Sequence, residues 1–148
     1  MSTNFLRVAR STVRHTTTYK PSHFASTPTS ARLFHTTSPK MTVHNIPTTE
    51  AFKEALAQNK TVMLDCYATW CGPCKAIAPI LAKHSNDEQF KDIFFAKIDV
   101  DDLPDLSQEL GITAMPTFMI FKDGKMEPAE KLVGANPNAL TTMLKTHA

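Results

Sequence analysis

The chain has 148 residues, which fits one domain of ordinary size, and its hydrophobic content of 42% is enough to build a core. No apolar run approaches the roughly 18 residues that a membrane-spanning helix needs, so we expect no transmembrane segment and no membrane partner. The net charge of +2 is unevenly divided. Residues 1–40 carry six Lys and Arg and no acidic residue, whereas residues 41–148 carry ten Lys and all 14 acidic residues. This asymmetry predicts a boundary near residue 40.

The basic N-terminal segment is rich in hydroxyl side chains and poor in apolar ones. Fifteen of its forty residues are Ser or Thr and none is Gly, so we expect it not to pack by itself and to be disordered. Three apolar residues recur at helical spacing, and three arginines repeat that spacing on a neighbouring face. The two sets are Leu6, Ala9, Val13 and Arg7, Arg10, Arg14.

An Arg-rich, Ser-rich, acid-free leader is typical of a mitochondrial transit peptide and lacks the apolar stretch of a secretory signal. We therefore predict a transit peptide at residues 1–41, a folded domain at residues 42–148, and a matrix location. Residues 32–41 resemble a two-step processing site, with a cut two residues after Arg32 and removal of eight more. The alternative is a basic arm for acidic surfaces or nucleic acid, which the scattered charges disfavour, so we expect no nucleic-acid partner. Translation starting at Met41 would yield a cytosolic form.

The domain begins with a short strand at residues 42–46 and a first helix. Phe52, Ala55 and Leu56 have helical spacing, Thr48 or Thr49 is placed to cap the helix, and it should end near Asn59.

A buried strand and the second helix come next. Residues 61–68 form a mostly apolar run that predicts a central strand covered on both faces, which places the Asp65 carboxylate in a core. A second helix should run from Cys71 to about His84, kinked by Pro79, and residues 93–100 predict another buried strand.

The last third of the chain predicts two more helices and two strands. Asp101 or Asp102 is placed to cap a helix that Gly111 ends, with Leu103, Leu106 and Leu110 facing the core. Residues 116–121 and 126–133 predict two antiparallel strands joined by Asp123-Gly124 as a two-residue hairpin. Asn136 starts a final helix with Leu140, Met143 and Leu144 inward. The order is β, α, β, α, β, α, β, β, α.

Cysteine spacing is the most specific chemical feature. Cys71 and Cys74 frame Gly72-Pro73 directly after a predicted buried strand and at the start of a helix. Free N–H groups and the helix dipole favour a thiolate there, which makes Cys71 the nucleophile. Since i, i+3 spacing puts both sulfurs on one face, Cys74 is placed to attack a mixed disulfide formed by Cys71.

Two alternatives accompany this interpretation. A zinc site needs two further Cys or His ligands, and His44, His84 and His147 lack ligand spacing, so we expect no metal. Cys66 lies in the predicted buried strand and is interpreted as an inert core residue.

The motif Trp70-Cys71-Gly72-Pro73-Cys74 resembles the active site of the thioredoxin family. The resemblance extends over residues 42–148 and includes, besides the motif, Asp65, Lys97, Pro79, Met115-Pro116-Thr117, Gly124 and Gly134. It implies the thioredoxin fold, an α/β domain with a central mixed sheet and helices on both faces. Cys66 and Tyr67 stand where many members carry bulkier aromatic residues, and Met115 replaces a commoner Ile or Thr.

The resemblance implies a protein disulfide reductase that acts in electron transport and cell redox homeostasis. Its only redox group would be the reversible Cys71–Cys74 disulfide, recycled by an NADPH-dependent thioredoxin reductase, and its clients would be disulfide-containing proteins such as peroxiredoxins. The chain would be a monomer without a bound cofactor. Asp65, near Lys97, would accept the proton of Cys74.

The resemblance also implies a flat apolar surface for partners, called here the docking face. Pro116 would be a cis proline that leaves the Met115 backbone free to pair with a substrate strand. The docking face comprises Trp70, Gly72, Pro73, Met115, Pro116, Val133, Gly134 and Ala135.

The alternative to a functional role is, for each of Trp70, Pro116 and Asp65, a purely structural one. Two other functions also fit the motif: a disulfide oxidase or isomerase, which a reducing compartment disfavours, and a binding module without turnover.

Overall fold

The computed structural model describes residues 43–148. The strands are β1 (Val43–Asn45), β2 (Thr61–Tyr67), β3 (Ile93–Asp99), β4 (Thr117–Lys122) and β5 (Glu130–Val133). The helices are α1 (Thr49–Gln58), α2 (Gly72–Ser85), α3 (Pro104–Glu109) and α4 (Pro137–His147), and a 3₁₀ turn at Glu88–Phe90 precedes β3. The predicted order of strands and helices is confirmed.

The five strands form one mixed sheet in the order β1-β3-β2-β4-β5. β3 lies parallel to both β1 and β2, whereas β4 is antiparallel to β2 and β5. In the register of β2 with β3, Asp65 is opposite Lys97 and Tyr67 is opposite Asp99. Since paired residues of adjacent strands share a face, this register places those four side chains on one face of the sheet.

Alternation along β2 divides the core into two layers. Val62, Leu64 and Cys66 pack on the face covered by α1 and α3, while Met63 packs on the face covered by α2 and α4. Every residue of β2 except the last is buried, because helices cover both faces of the sheet. The central position predicted for this strand is confirmed.

Side-chain caps fix the starts of three helices. The Thr48 hydroxyl accepts from the backbone N–H of Ala51, which settles the choice between Thr48 and Thr49. The Asn136 side chain accepts from two N–H groups of α4, and Cys71 occupies the N-cap position of α2. α2 continues through Pro79 to Ser85.

The predicted cap of α3 is wrong. The N-cap position is Leu103, which makes no side-chain cap, and Pro104 opens the helix. The Asp99 carboxylate instead accepts from the Asp101 N–H, so it organises the turn between β3 and α3 from the end of the strand. The predicted end of α3 is confirmed, since Gly111 follows the last helical turn with a φ of 61°.

The predicted two-residue hairpin between β4 and β5 is also wrong. Asp123 and Gly124 do form a tight turn, with φ of 55° and 72°, but β5 begins only at Glu130. Pro128 has no N–H for a strand ladder, and Met126 packs on the core beside α1 and α3 instead of pairing with β4. The antiparallel pairing of the two strands is confirmed.

The transit-peptide prediction for residues 1–41, with its processing site, lies outside the described residues. Within residues 43–148, no helix has the length and apolar character needed to cross a membrane.

Candidate active site

The two cysteines of the motif lie at the junction of β2 and α2. The Cys71 N–H donates to the Ala68 carbonyl at 3.1 Å, which turns the chain into the helix. Cys71 and Cys74 form a disulfide with an S–S distance of 2.02 Å and a Cα–Cα distance of 5.3 Å. Both residues are buried, and Ala68 and Met115 pack against them.

The helix start provides a partner for charge on Cys71. The Cys74 N–H donates to Cys71 Sγ at 3.2 Å, and the first turn of α2 contains no acidic residue. When the disulfide is reduced, this N–H and the positive end of the helix dipole stabilise a thiolate on Cys71. The arrangement therefore favours Cys71 over Cys74 as the attacking sulfur.

Asp65 lies on the sheet face beneath α2 and is only 6% exposed. Burial raises the pKa of its carboxyl to about 7, and the nearby Lys97 charge opposes part of that rise. Oδ1 has no hydrogen-bond partner among the described residues. A carboxyl that holds its proton near neutral pH is suited to proton transfer.

A cavity of about 370 Å³ connects the Asp65 carboxyl with Cys74. It is partly open to solvent, and its walls come from β2, the loop that follows it, β3 and the first two turns of α2. The lining residues are Asp65, Tyr67, Ala68, Thr69, Cys74, Lys75, Ala78 and Lys97. The cavity gives a water molecule room to carry a proton between Cys74 and Asp65.

Lys97 lines this cavity but forms no ion pair with any carboxylate of residues 43–148. The only salt bridges within residues 43–148 are Lys91 with Glu88 and His147 with Glu130. The Lys97 ammonium lies 5.2 Å from the centroid of the Tyr67 ring instead. The expected influence of Lys97 on Asp65 is thus electrostatic and acts at longer range.

The docking face surrounds the disulfide. Trp70 and Val133 are exposed over 67% and 53% of their surfaces, and they are the large exposed apolar residues of residues 43–148. Gly72, Pro73 and Ala135 are exposed, Met115 and Gly134 are half-buried, and Pro116 is buried. The residues predicted for this face thus combine exposed and half-buried positions around Pro116.

Two hydrogen bonds organise this face. The Trp70 indole Nε1–H donates to Asp101 Oδ2 at 2.8 Å, which orients the ring. The Gly134 N–H donates to the Pro116 carbonyl at 2.8 Å and joins two loops beside the disulfide. The Met115-Pro116 peptide bond is cis, as the family resemblance implied.

Cys66 lies on the opposite face of the sheet from Asp65. It is a free, fully buried thiol, and burial raises its pKa strongly above the ordinary value. Leu64, Ala96 and Ile98 belong to the same cluster. A buried thiol that keeps its proton is a poor nucleophile, and the inert role of Cys66 stays a prediction.

Sequence reasoning missed two residues that contact the site. Asp101, expected to cap a helix, binds the Trp70 indole. Tyr67, noted only as an unusual family residue, lies under the Lys97 ammonium. Alternation along β2 puts Tyr67 on the same face as Asp65, and this was the available signal. Among residues 43–148, no cluster of three or more His, Cys, Asp or Glu side chains is arranged to hold a metal ion.

Comparison with known proteins places these features in a family. The family model described as Thioredoxin matches residues 43–146. Thioredoxin-2 of Pyricularia oryzae is 47% identical over 119 residues, which cover 80% of this chain and 67% of that protein. Thioredoxin-3, mitochondrial, of Saccharomyces cerevisiae is 45% identical over 94 residues, which cover 64% of this chain and 71% of the relative.

Solved structures agree with this comparison. The oxidized crystal structure of mitochondrial thioredoxin 3 from Saccharomyces cerevisiae has a TM-score of 0.65 at 39% identity, covering 74% of this chain and 99% of that chain. Another similar structure, with a TM-score of 0.64 at 39% identity, covers 70% of this chain and 94% of its own. It concerns the thiol resolving mechanism of a yeast mitochondrial 1-Cys peroxiredoxin through glutathione and thioredoxin systems.

Proposed function

The chain belongs to the thioredoxin family and performs dithiol–disulfide exchange, and we propose that Cys71 attacks client disulfides while Cys74 resolves the resulting mixed disulfide. The observation that carries this assignment is the hydrogen bond that the Cys74 N–H donates to Cys71 Sγ at the helix N-terminus. It supports a thiolate on the first cysteine and leaves the second to act later.

The reaction proceeds in two exchange steps. The Cys71 thiolate attacks one sulfur of the client disulfide, forming a mixed disulfide and releasing the other client sulfur as a thiolate that takes up a proton. Cys74 then loses its proton, attacks Cys71 Sγ and expels the second client thiolate, which is protonated in turn. Two electrons pass from the dithiol to the client, and the protein is left with the disulfide seen in the structure.

Asp65 is proposed as the proton acceptor for Cys74 in the second step. Its buried carboxyl has a pKa of about 7 and shares a cavity with Cys74. An acceptor whose pKa lies close to the working pH is able both to take the proton and to release it afterwards. Lys97 is proposed to modulate this carboxyl through its charge.

The docking face is proposed as the client-binding surface. It combines the exposed Trp70 and Val133 side chains with a Met115 backbone that makes no hydrogen bond within residues 43–148. A client strand would pair with the free N–H and C=O of Met115, while the apolar side chains contact the client without demanding a particular sequence.

The disulfide is proposed to be reduced by an NADPH-dependent thioredoxin reductase. Disulfide-containing proteins are the substrates of the family, and we propose peroxiredoxins among the clients of this chain. The similar yeast structure concerned with a mitochondrial 1-Cys peroxiredoxin supports that proposal.

We also propose that residues 1–41 direct residues 42–148 to the mitochondrial matrix. The acid-free, Arg-rich composition of the leader supports this location, as does the similarity to a mitochondrial yeast thioredoxin.

Reduction of insulin disulfides, with thioredoxin reductase and NADPH as the electron source, tests the proposed function. We expect turnover by the wild-type chain, none by Cys71→Ser, and NADPH oxidation that depends on both proteins. A redox titration of the cysteine pair is expected to give a potential in the reducing range of thioredoxins, about −270 mV. A potential close to that of a disulfide oxidase, or function that survives replacement of both cysteines, would contradict the proposal.

A further inference from the structure

The register of β2 and β3 places Lys97 within reach of Asp65. The two residues face each other across β2 and β3 in register, and both side chains line the same cavity. Adjacent strands lie about 4.8 Å apart, so the side chain of a lysine in this position is long enough for its ammonium to reach the carboxylate opposite. A buried carboxylate with an unbonded oxygen is also a strong attractor for a cation.

The ammonium nevertheless makes a different contact. No ion pair joins Lys97 to Asp65 within the described residues, and Asp65 Oδ1 accepts no hydrogen bond there. Lys97 Nζ instead lies 5.2 Å from the centroid of the Tyr67 ring, within the distance at which an aromatic face attracts a cation.

We propose that Tyr67 is a positioning residue that holds the Lys97 ammonium over its ring and so keeps it from pairing with the Asp65 carboxylate. The ring and the carboxyl compete for the same cation, since Tyr67 and Asp65 lie two residues apart on one face of β2. The proposal rests on the proposed role of Asp65 as proton acceptor. It identifies Tyr67 as the residue that keeps the Asp65 carboxyl able to bind a proton.

The consequence follows from the effect of a close cation on a carboxyl. A lysine in contact with Asp65 would favour the ionised form and lower its pKa by about one to three units, leaving a weak base for Cys74. When the Lys97 ammonium is held on the ring, its charge offsets only part of the rise in the Asp65 pKa that burial causes. Tyr67 therefore keeps the pKa of the Asp65 carboxyl near neutral by holding the cation away from it.

Few other ionisable groups face this carboxyl. α2 contributes Cys74, which does not titrate in the disulfide, and Lys75, while β4 places the apolar Phe118 opposite Asp65. Desolvation raises the pKa of the Tyr67 hydroxyl most, and the charges of Asp99, Asp102 and Asp65 raise it further. Lys97 is thus the cation on β3 whose movement would change the Asp65 titration most.

The test is a double-mutant cycle in the full-length oxidised protein, with the Asp65 pKa measured by carbon-13 NMR of its carboxyl. Tyr67→Leu removes the ring but keeps an apolar side chain, and it is expected to lower the Asp65 pKa by about one unit or more. Tyr67→Phe keeps the ring face and is the matched control, with an unchanged pKa. In a Lys97→Met background, Tyr67→Leu is expected to have no effect.

Each other result overturns the proposal. An equal fall in the wild-type and Lys97→Met backgrounds would mean that the ring only excludes water, and an unchanged or higher pKa in Tyr67→Leu would mean that it does not hold the ammonium away. Tyr67→Val gives a second non-aromatic variant should Tyr67→Leu fold poorly. Because the titration uses the oxidised protein, its outcome is separate from the insulin assay, which decides the proposed function.

Discussion

The two cysteines differ in their surroundings, and this difference predicts two different failures. Cys71 Sγ accepts an N–H of α2, whereas Cys74 lies one turn inside the helix and lines the cavity that leads to Asp65. We expect Cys71→Ser to abolish attack, and Cys74→Ser to attack but accumulate covalent client complexes. Non-reducing gels followed by mass spectrometry measure the trapped species.

Cys66 provides the matched control for the cysteine variants. Cys66→Ala is expected to retain reductase activity and to lose on the order of 1 kcal/mol of stability, because it removes only a small buried side chain. Trapped complexes in Cys71→Ser, with none in Cys74→Ser, would reverse the assignment of the two sulfurs.

Asp65 couples stability to pH. Its pKa is 3.8 in an ordinary setting and about 7 in the fold, so between these values the folded protein keeps a proton that the unfolded chain has lost. The free energy of unfolding therefore falls as pH rises through this range, by up to about 4 kcal/mol for a shift of about three units. Asp65→Asn is expected to remove this dependence and to be more stable than wild type above pH 7. Urea denaturation across the pH range measures the effect.

The same substitution separates the chemical role of Asp65 from its cost to stability. Asn has nearly the volume of Asp but is unable to take the Cys74 proton, so resolution of the mixed disulfide is expected to slow. Single-turnover reduction at the wild-type rate, with only the stability changed, would show that Asp65 takes no part in catalysis.

Among the elements, the two helices on the active-site face of the sheet are joined by a polar contact. The Thr141 hydroxyl of α4 donates its one hydrogen to the Pro137 carbonyl, and its oxygen lies 3.1 Å from His84 Nε2 of α2. Because that hydrogen is already used, the His84 ring nitrogen is the donor in the bond between the two helices. Thr141→Val removes this connection between helices and is expected to lower the unfolding free energy by about 1 kcal/mol. Chemical denaturation at neutral pH measures the loss.

Thr142 offers a matched control for this prediction. Its hydroxyl makes the same bond within α4, to the Asn138 carbonyl, but forms no hydrogen bond to another helix of residues 43–148. The difference between Thr141→Val and Thr142→Val therefore reports the contact with His84. Equal losses in the two variants would mean that the contact contributes nothing.

Most elements were predictable because burial is periodic in the sequence. The apolar run of β2 and the spacing of Leu140, Met143 and Leu144 in α4 are direct consequences of two-sided and one-sided burial. The N-cap Asn136 and the terminating Gly111 were equally readable, since each satisfies a local backbone requirement.

The features that sequence reasoning missed depend on contacts between elements. Asp101 was expected to cap α3, but its carboxylate binds the Trp70 indole, 31 residues away along the chain. The position of the Lys97 ammonium depends on competition between Asp65 and Tyr67, which side-chain conformation decides and residue type does not. For the site, the sequence identified the cysteines and the buried acid, but not the residues that orient their neighbours.

For the whole molecule, the division of charge predicts the mature form. Residues 1–40 have a net charge of +6 and residues 41–148 a net charge of −4, so removal of the leader changes the net charge of the protein from positive to negative. We expect protein purified from the matrix to begin at or near Thr42, by N-terminal sequencing. Retention of residues 1–40 in that protein would contradict the transit peptide and favour a basic arm.

Import into isolated mitochondria tests which charges of the leader matter. The arginines at helical spacing beside the apolar stripe are the ones expected to be recognised, so a variant with all three replaced by Gln should lose import. These are Arg7, Arg10 and Arg14. The control removes the same total charge from basic residues that lie outside this amphipathic pattern, at Lys20, Arg32 and Lys40. We expect the control to be imported, although its processing site is altered. Equal loss in both variants would mean that total charge, and not the amphipathic pattern, directs the protein.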